Sequence, residues 1–192
     1  MLTRPVFAVV LAGLVAAGCD DPSVEQHGVV FRPVRQGSNQ LWITEIERDG
    51  ARATLPFYYL PDETADVVLE AGLLVKLGAS DFRPRQLYVS IDPDAHHYTF
   101  TAGAEIGRFV EDLGLFGGPE VQMAFSKAND RPEQLPVVDC SKASPDTAVI
   151  VVEQGGRNEV KHDGACVRAT YLVPQDSLRV ADRFCYGLAG VL

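Results

Sequence analysis

The chain has 192 residues, of which 46% are hydrophobic, and a formal net charge of −9 at pH 7. This hydrophobic content is typical of a folded domain and argues against a disordered chain. Because a surface of this sign repels phosphate groups and no local cluster of Lys or Arg offsets it, we expect no nucleic-acid partner.

The first predicted element is a short apolar run at the N-terminus. Arg4 is the only charge among the first 19 residues, and Pro5 to Gly18 contains only apolar, glycine and proline residues. As an α-helix this run would span about 21 Å, less than the roughly 30 Å hydrocarbon core of a bilayer. A positive start, a short apolar core and small residues at its end predict a cleavable signal peptide over residues 1–18.

The residues that close this run add a lipid anchor to the prediction. Ala16-Ala17-Gly18-Cys19 resembles the lipobox of bacterial lipoproteins, although that family usually has Leu at the first of the four positions. The resemblance implies acylation of Cys19, so the lipid bilayer is the first expected partner. Asp20 and Asp21 resemble the signal that retains Gram-negative lipoproteins in the inner membrane, facing the periplasm. The alternative is an ordinary signal peptide in which Cys19 merely follows small residues.

After the anchor we expect a tether over residues 19–27 and one globular domain over residues 28–192. The domain is predicted to begin with three strands and a turn at Asp49-Gly50, which makes a hairpin of the second and third strands. These strands are predicted over residues 28–35, 40–47 and 53–60. Residues 65–77 fit either a helix or a strand, and we favour a helix.

The second half of the domain is predicted to combine strands with two helices. A helix over residues 102–115 and a C-terminal amphipathic helix from Asp176 or Ser177 both follow from apolar spacings of three and four. The strands are predicted over residues 86–91, 121–125, 135–139, 147–153, 158–161 and 166–172, the last three as an antiparallel meander. This order predicts an α+β fold with a mainly antiparallel sheet and two or three helices packed on one face.

Three cysteines remain once Cys19 is lipidated, and an oxidising compartment favours a disulfide among them. Cys140 and Cys166 each lie at an end of a predicted strand, so a bond between them would staple neighbouring strands. The alternative joins Cys166 to Cys185 on the C-terminal helix. The sequence has no Cys-x-x-Cys motif and therefore gives no support for thiol exchange.

The C-terminal segment that holds these cysteines has a resemblance of its own, to some uncharacterised microbial envelope proteins. The matching residues are Val137-Val138-Asp139-Cys140, Ala148-Val149-Ile150, Ala165-Cys166-Val167, Ala181-Asp182-Arg183-Phe184 and Tyr186-Gly187. In that pattern Cys140 and Cys166 recur as a pair, whereas the position of Cys185 is usually aliphatic, which favours the first disulfide. The resemblance implies no activity.

A second candidate site follows the strand predicted over residues 86–91. Asp92, Asp94, His96 and His97 are close in sequence, and carboxylate oxygens with imidazole nitrogens suit a divalent transition metal. The same residues also fit a solvated turn, because Asp side chains bond the nearby backbone. We favour the turn.

No sequence motif identifies a catalytic site or a cofactor. A nucleophile elbow, a metalloprotease helix, a phosphate loop and a dinucleotide glycine pattern are all missing from the sequence. We therefore expect a lipid-anchored envelope protein that acts as a non-enzymatic interaction or accessory subunit of an inner-membrane complex, with a membrane or envelope protein as its partner. The alternative is a small envelope enzyme or metal-handling protein centred on Asp92 to His97.

Overall fold

The computed structural model describes residues 22–48, 50–78, 82–130 and 135–192. The predicted signal peptide, Cys19 and the two aspartates that follow it lie outside the described residues. Asp49 of the predicted turn also lies outside them, while Gly50 has a φ of 82°, a left-handed conformation that glycine adopts without strain.

The described residues form ten strands and three α-helices. The strands are β1 (Val24–Gln26), β2 (Val29–Gln36), β3 (Asn39–Arg48), β4 (Ala51–Phe57), β5 (Val68–Leu69), β6 (Gln86–Ile91), β7 (Glu120–Phe125), β8 (Thr147–Gln154), β9 (Glu159–Asp163) and β10 (Cys166–Tyr171). The helices are α1 (Leu73–Leu77), α2 (His97–Asp112) and α3 (Asp176–Ala189). Short 3-10 turns occupy Pro61–Thr64, Leu115–Gly117 and Cys140–Lys142.

The first sheet is antiparallel and has the strand order β1-β2-β3-β4. Its first hairpin turns through His27 and Gly28, whose φ values of 52° and 76° are both positive, as a two-residue type I′ turn requires. The turn pairs Val24 with Phe31, so part of the segment expected as a tether belongs to the folded domain.

The second sheet is mixed and has the strand order β5-β9-β10-β8-β6-β7. β9 and β10 form an antiparallel hairpin, but β10 runs parallel to β8, with Val167 opposite Ile150. The predicted antiparallel meander is therefore wrong at β8. The physical reason is that β8 is buried on both faces from Ala148 to Val152, a property of central strands in parallel sheets.

Helix α2 lies between the two sheets. Toward the second sheet, a Cβ atom added to Gly103 would lie 3.2 Å from Cγ2 of Ile91, so glycine permits close contact with β6. Toward the first sheet, the ring of Phe109 meets the edge of Phe57 with centroids 6.2 Å apart. One helix thus contacts both sheets.

Helix α3 lies beside α2 in the same layer. Tyr186 stacks on Phe57 of the first sheet with ring centroids 4.2 Å apart, and Phe184 lines a small cavity with Leu87 of the second sheet. Asp182 of α3 is also buried, with only 4% of its surface exposed. The molecule therefore consists of three layers: the first sheet, the helices and the second sheet.

The predicted α+β fold with a C-terminal helix is confirmed, and several element boundaries differ. The helix favoured over residues 65–77 is replaced by β5 and α1, separated by Gly72 in a left-handed conformation. The strand predicted over residues 135–139 is reduced to one bridge between Val137 and Phe125. Within the described ranges, no helix has both the length and the apolar character needed to cross a bilayer.

Candidate functional site

The predicted metal site lies where β6 ends and α2 begins. The backbone N–H of Asp94 donates to Oδ1 of Asp92 at 2.8 Å, which forms a tight side-chain turn. His96 is the N-cap residue of α2, and its Nδ1 accepts the backbone N–H of Tyr98 at 3.4 Å. Strand end, turn and helix cap together fix the backbone of this segment.

Lys127, which follows the neighbouring strand β7, contacts both aspartates of this segment. β7 runs parallel to β6 with Phe125 opposite Ile91, so the residues that follow both strands share one edge of the sheet. Nζ of Lys127 lies 3.0 Å from Oδ2 of Asp92 and 3.1 Å from Oδ2 of Asp94. The hydrogen bond to Asp92, followed by the one to Asp94, raises the pKa of Lys127 above its usual value.

The four predicted ligands are not brought together as a ligand set. Both carboxylates turn toward Lys127, while the exposed imidazole rings of His96 and His97 lie with centroids 4.0 Å apart and planes tilted by 39°. In the part of the chain that the structure describes, no group of three or more His, Cys, Asp or Glu side chains is arranged to hold a metal ion. The geometry therefore agrees with the solvated turn.

A cleft of about 280 Å³ lies beside this turn, between the first sheet and the start of α2. Its lining offers hydroxyl, amide and imidazole groups and no charged side chain, and consists of Ser38, Asn39, Tyr58, His97, Tyr98, Thr101 and Leu178. Burial, followed by the charges of Glu105 and Asp182, raises the pKa of Tyr58, so this hydroxyl keeps its proton at neutral pH. Of the four predicted ligands, His97 alone lines the cleft.

The disulfide joins Cys140 to Cys166, the first of the two predicted pairings, with Cα atoms 5.4 Å apart. It ties the segment before β8 to the start of β10, on the face of the second sheet that points away from the helices. Cys185 is a free, buried thiol on α3. Burial raises the pKa of this thiol well above its ordinary value, so the reactive thiolate is not formed at neutral pH.

Asp182 is a buried carboxyl group that no sequence pattern identifies. Its Oδ2 accepts the backbone N–H groups of Tyr58 and Tyr59, both at 2.8 Å. Burial raises the pKa of Asp182 well above its ordinary value, and the two backbone hydrogen bonds oppose that shift only in part. Since its partners lie more than 120 residues away in the chain, no local pattern could have identified them.

Several carboxyl and thiol groups that could take part in a reaction are already held by contacts within the fold. Asp92 and Asp94 are paired with Lys127, Asp182 bonds the backbone, and Cys140 is in a disulfide. No protein-family model, curated protein or solved structure matches this chain. Any proposal about its function therefore has to be argued from the residues of this chain.

Proposed function

We propose that this protein is an envelope lipoprotein, held at the periplasmic side of the inner membrane by acylated Cys19, whose domain binds a protein partner. The observation that carries the location is the Cys140–Cys166 disulfide. Disulfides persist in oxidising compartments, to which a signal peptide would deliver the chain. The disulfide and the N-terminal sequence thus support the same compartment independently.

A binding role agrees better than catalysis with the way the polar groups are used. A general base needs a carboxylate or imidazole that is free to take a proton, but Asp92 and Asp94 both form ion pairs with Lys127. Another candidate, Asp182, is buried and accepts the backbone N–H groups of Tyr58 and Tyr59. A lipid anchor also serves a binding protein directly, because it raises the effective concentration of partners in the same membrane.

The anchor is tested with the full-length chain in a Gram-negative host. The N-terminal peptide of the processed protein is expected to begin at Cys19 and to carry the mass of its acyl chains. The matched control is Cys19→Ser, which is expected to leave the membrane fraction. An unmodified Cys19, or equal membrane recovery of both forms, would contradict the proposal.

The partner is tested by crosslinking in intact membranes, followed by solubilisation in mild detergent and mass spectrometry. We expect the acylated chain to be recovered with one or more inner-membrane proteins at stoichiometric amounts, and Cys19→Ser to lose them. If crosslinkers of several lengths all leave the acylated chain without a crosslinked protein, the result would argue against an interaction subunit.

A further inference from the structure

The outer face of the first sheet carries an apolar strip. Along β2 the burial alternates, so that Phe31 points into the core while Val30, Arg32 and Val34 point outward. Ile43 of β3 pairs with Arg32 and extends the strip sideways. Val30 and Val34 are each 43% exposed, and Arg32 is the only charge among these four residues, which we call the outer strip.

The same sheet holds the point where the predicted anchor enters the fold. Val24 is fixed opposite Phe31 in the register of β1, and the side chain of Gln26 accepts the backbone N–H of Asp62 at 3.0 Å. Cys19 precedes Val24 by five residues. Even a fully extended chain therefore places their Cα atoms no more than about 17 Å apart.

The three-layer arrangement excludes one face of the domain from contact with a membrane through this short connection. The outer face of the second sheet lies two layers beyond the first sheet, a distance of roughly 20 Å at about 10 Å for each layer. If that far face lay on the bilayer, Val24 would be too distant for an acylated Cys19 to reach the lipid. The outer strip belongs to the layer that contains β1 and lies within reach.

We propose that the outer strip faces the phospholipid surface, an inference that rests on the proposed acylation of Cys19. The valines contact the interfacial region, and the long side chain of Arg32 can keep its charge in water. Glu25 pairs with Val30 along the edge of the strip and offsets the charge of Arg32, so these residues have no excess positive charge to bind lipid by themselves. The anchor sets the orientation, and Val137, which pairs with Phe125 at the β7 edge of the second sheet, faces the aqueous phase.

The test compares the labelling rates of two introduced cysteines by a polar maleimide. Val34→Cys reports on the outer strip, and Val137→Cys is the matched control, because these two valines are 43% and 49% exposed. Each acylated full-length variant is added to preformed vesicles of phosphatidylethanolamine and phosphatidylglycerol, and a Cys19→Ser version is measured with the same vesicles. The buried thiol of Cys185 serves as the internal reference for unfolding.

Acylation is expected to slow the labelling of Val34→Cys several-fold and to leave Val137→Cys unchanged. Equal labelling of Val34→Cys with and without the acyl chains, in protein whose mass shows that they are present, overturns the inference and leaves the proposed function standing. Absence of the acyl chains from the mass spectrum overturns the anchor and this orientation together.

Discussion

The carboxylate of Asp182 accepts the backbone N–H of Tyr59 at 2.8 Å and so joins α3 to the chain that leaves β4. The same oxygen accepts the N–H of Tyr58, and the hydroxyl of Tyr186, one turn further along α3, donates to the carbonyl oxygen of Tyr59 at 2.6 Å. Three hydrogen bonds therefore lock the exit of the first sheet onto the central helix layer.

Removing the Asp182 carboxyl group is expected to destabilise the fold strongly. Asp182→Ala leaves two backbone donors without an acceptor, and each unsatisfied buried donor costs about 1–3 kcal/mol. Asp182→Asn keeps an acceptor oxygen and is expected to lose less stability. Urea unfolding of both variants measures the difference, and equal losses would show that the two N–H groups find another acceptor.

The stability of the wild-type protein is expected to fall with rising pH through Asp182. Burial raises the pKa of this carboxyl group well above its ordinary value of 3.8, so the folded state holds the proton more tightly than the unfolded state. The stabilisation from Asp182 is therefore full below the unfolded pKa of about 4 and is lost as the pH rises through the folded pKa.

Asp182→Asn provides the measurement of this pH effect, because an amide does not titrate. The free energy of unfolding of the wild type, taken relative to Asp182→Asn, is expected to decrease from about pH 4 upward and to level off above the folded pKa. Other carboxyl groups titrate in both proteins, so their contributions to the free energy of unfolding cancel in the difference. A difference that stays constant over this range would contradict the raised pKa.

The Cys140–Cys166 disulfide is expected to stabilise the domain by about 3.5 kcal/mol, the value for a closed loop of this size. The two cysteines are separated by 26 residues. Replacing both by Ser removes the bond, whereas Cys185→Ala retains it and serves as the control. Reductant should lower the melting temperature of the wild type and of Cys185→Ala but not of the double variant. A wild type that is insensitive to complete reduction would contradict this expectation.

Two adjacent glycines after β8 are expected to differ in their tolerance of alanine. A Cβ atom at Gly155 would lie 2.8 Å from Cβ of Thr170, closer than real contacts allow, whereas one at Gly156 meets nothing within 4 Å. Gly155→Ala should therefore cost about 1–3 kcal/mol, as overpacking does. Gly156→Ala should stay within about 0.5 kcal/mol of the wild type. Thermal unfolding measures both, and similar melting temperatures would show that β10 can shift.

The apolar periodicity within a segment was sufficient to predict some elements without any knowledge of the strands or helices that pack against them. The alternation of Leu87, Val89 and Ile91 predicted β6 with its observed bounds, and the apolar spacing after Pro174 predicted the start of α3. The parallel pairing of β8 with β10 could not be predicted in this way, because β9 intervenes between them in the chain. Pairing depends on contacts between distant segments rather than on the pattern within each one.

The candidate site likewise combines features that the local sequence predicts with contacts between distant segments that it does not. The sequence correctly placed Asp92 and Asp94 in a turn after a strand, but it gave no sign that Lys127 pairs with both. A strand, a helix and another strand in succession favour parallel neighbours, and this pattern was a usable signal for Lys127. The two peptide donors to Asp182 left no such signal, since backbone N–H groups are present at almost every position.

The position of α3 between two sheets also governs when folding can be completed. This helix comes after both sheets in the chain, and its contact from Asp182 to Tyr58 spans 124 residues. Until residues 176–189 have been synthesised, Phe31 and Phe57 on one sheet and Leu87 on the other lack part of their cover. Such long-range closure is slow compared with the formation of hairpins. We therefore expect the core to be completed only once α3 has packed between the two sheets.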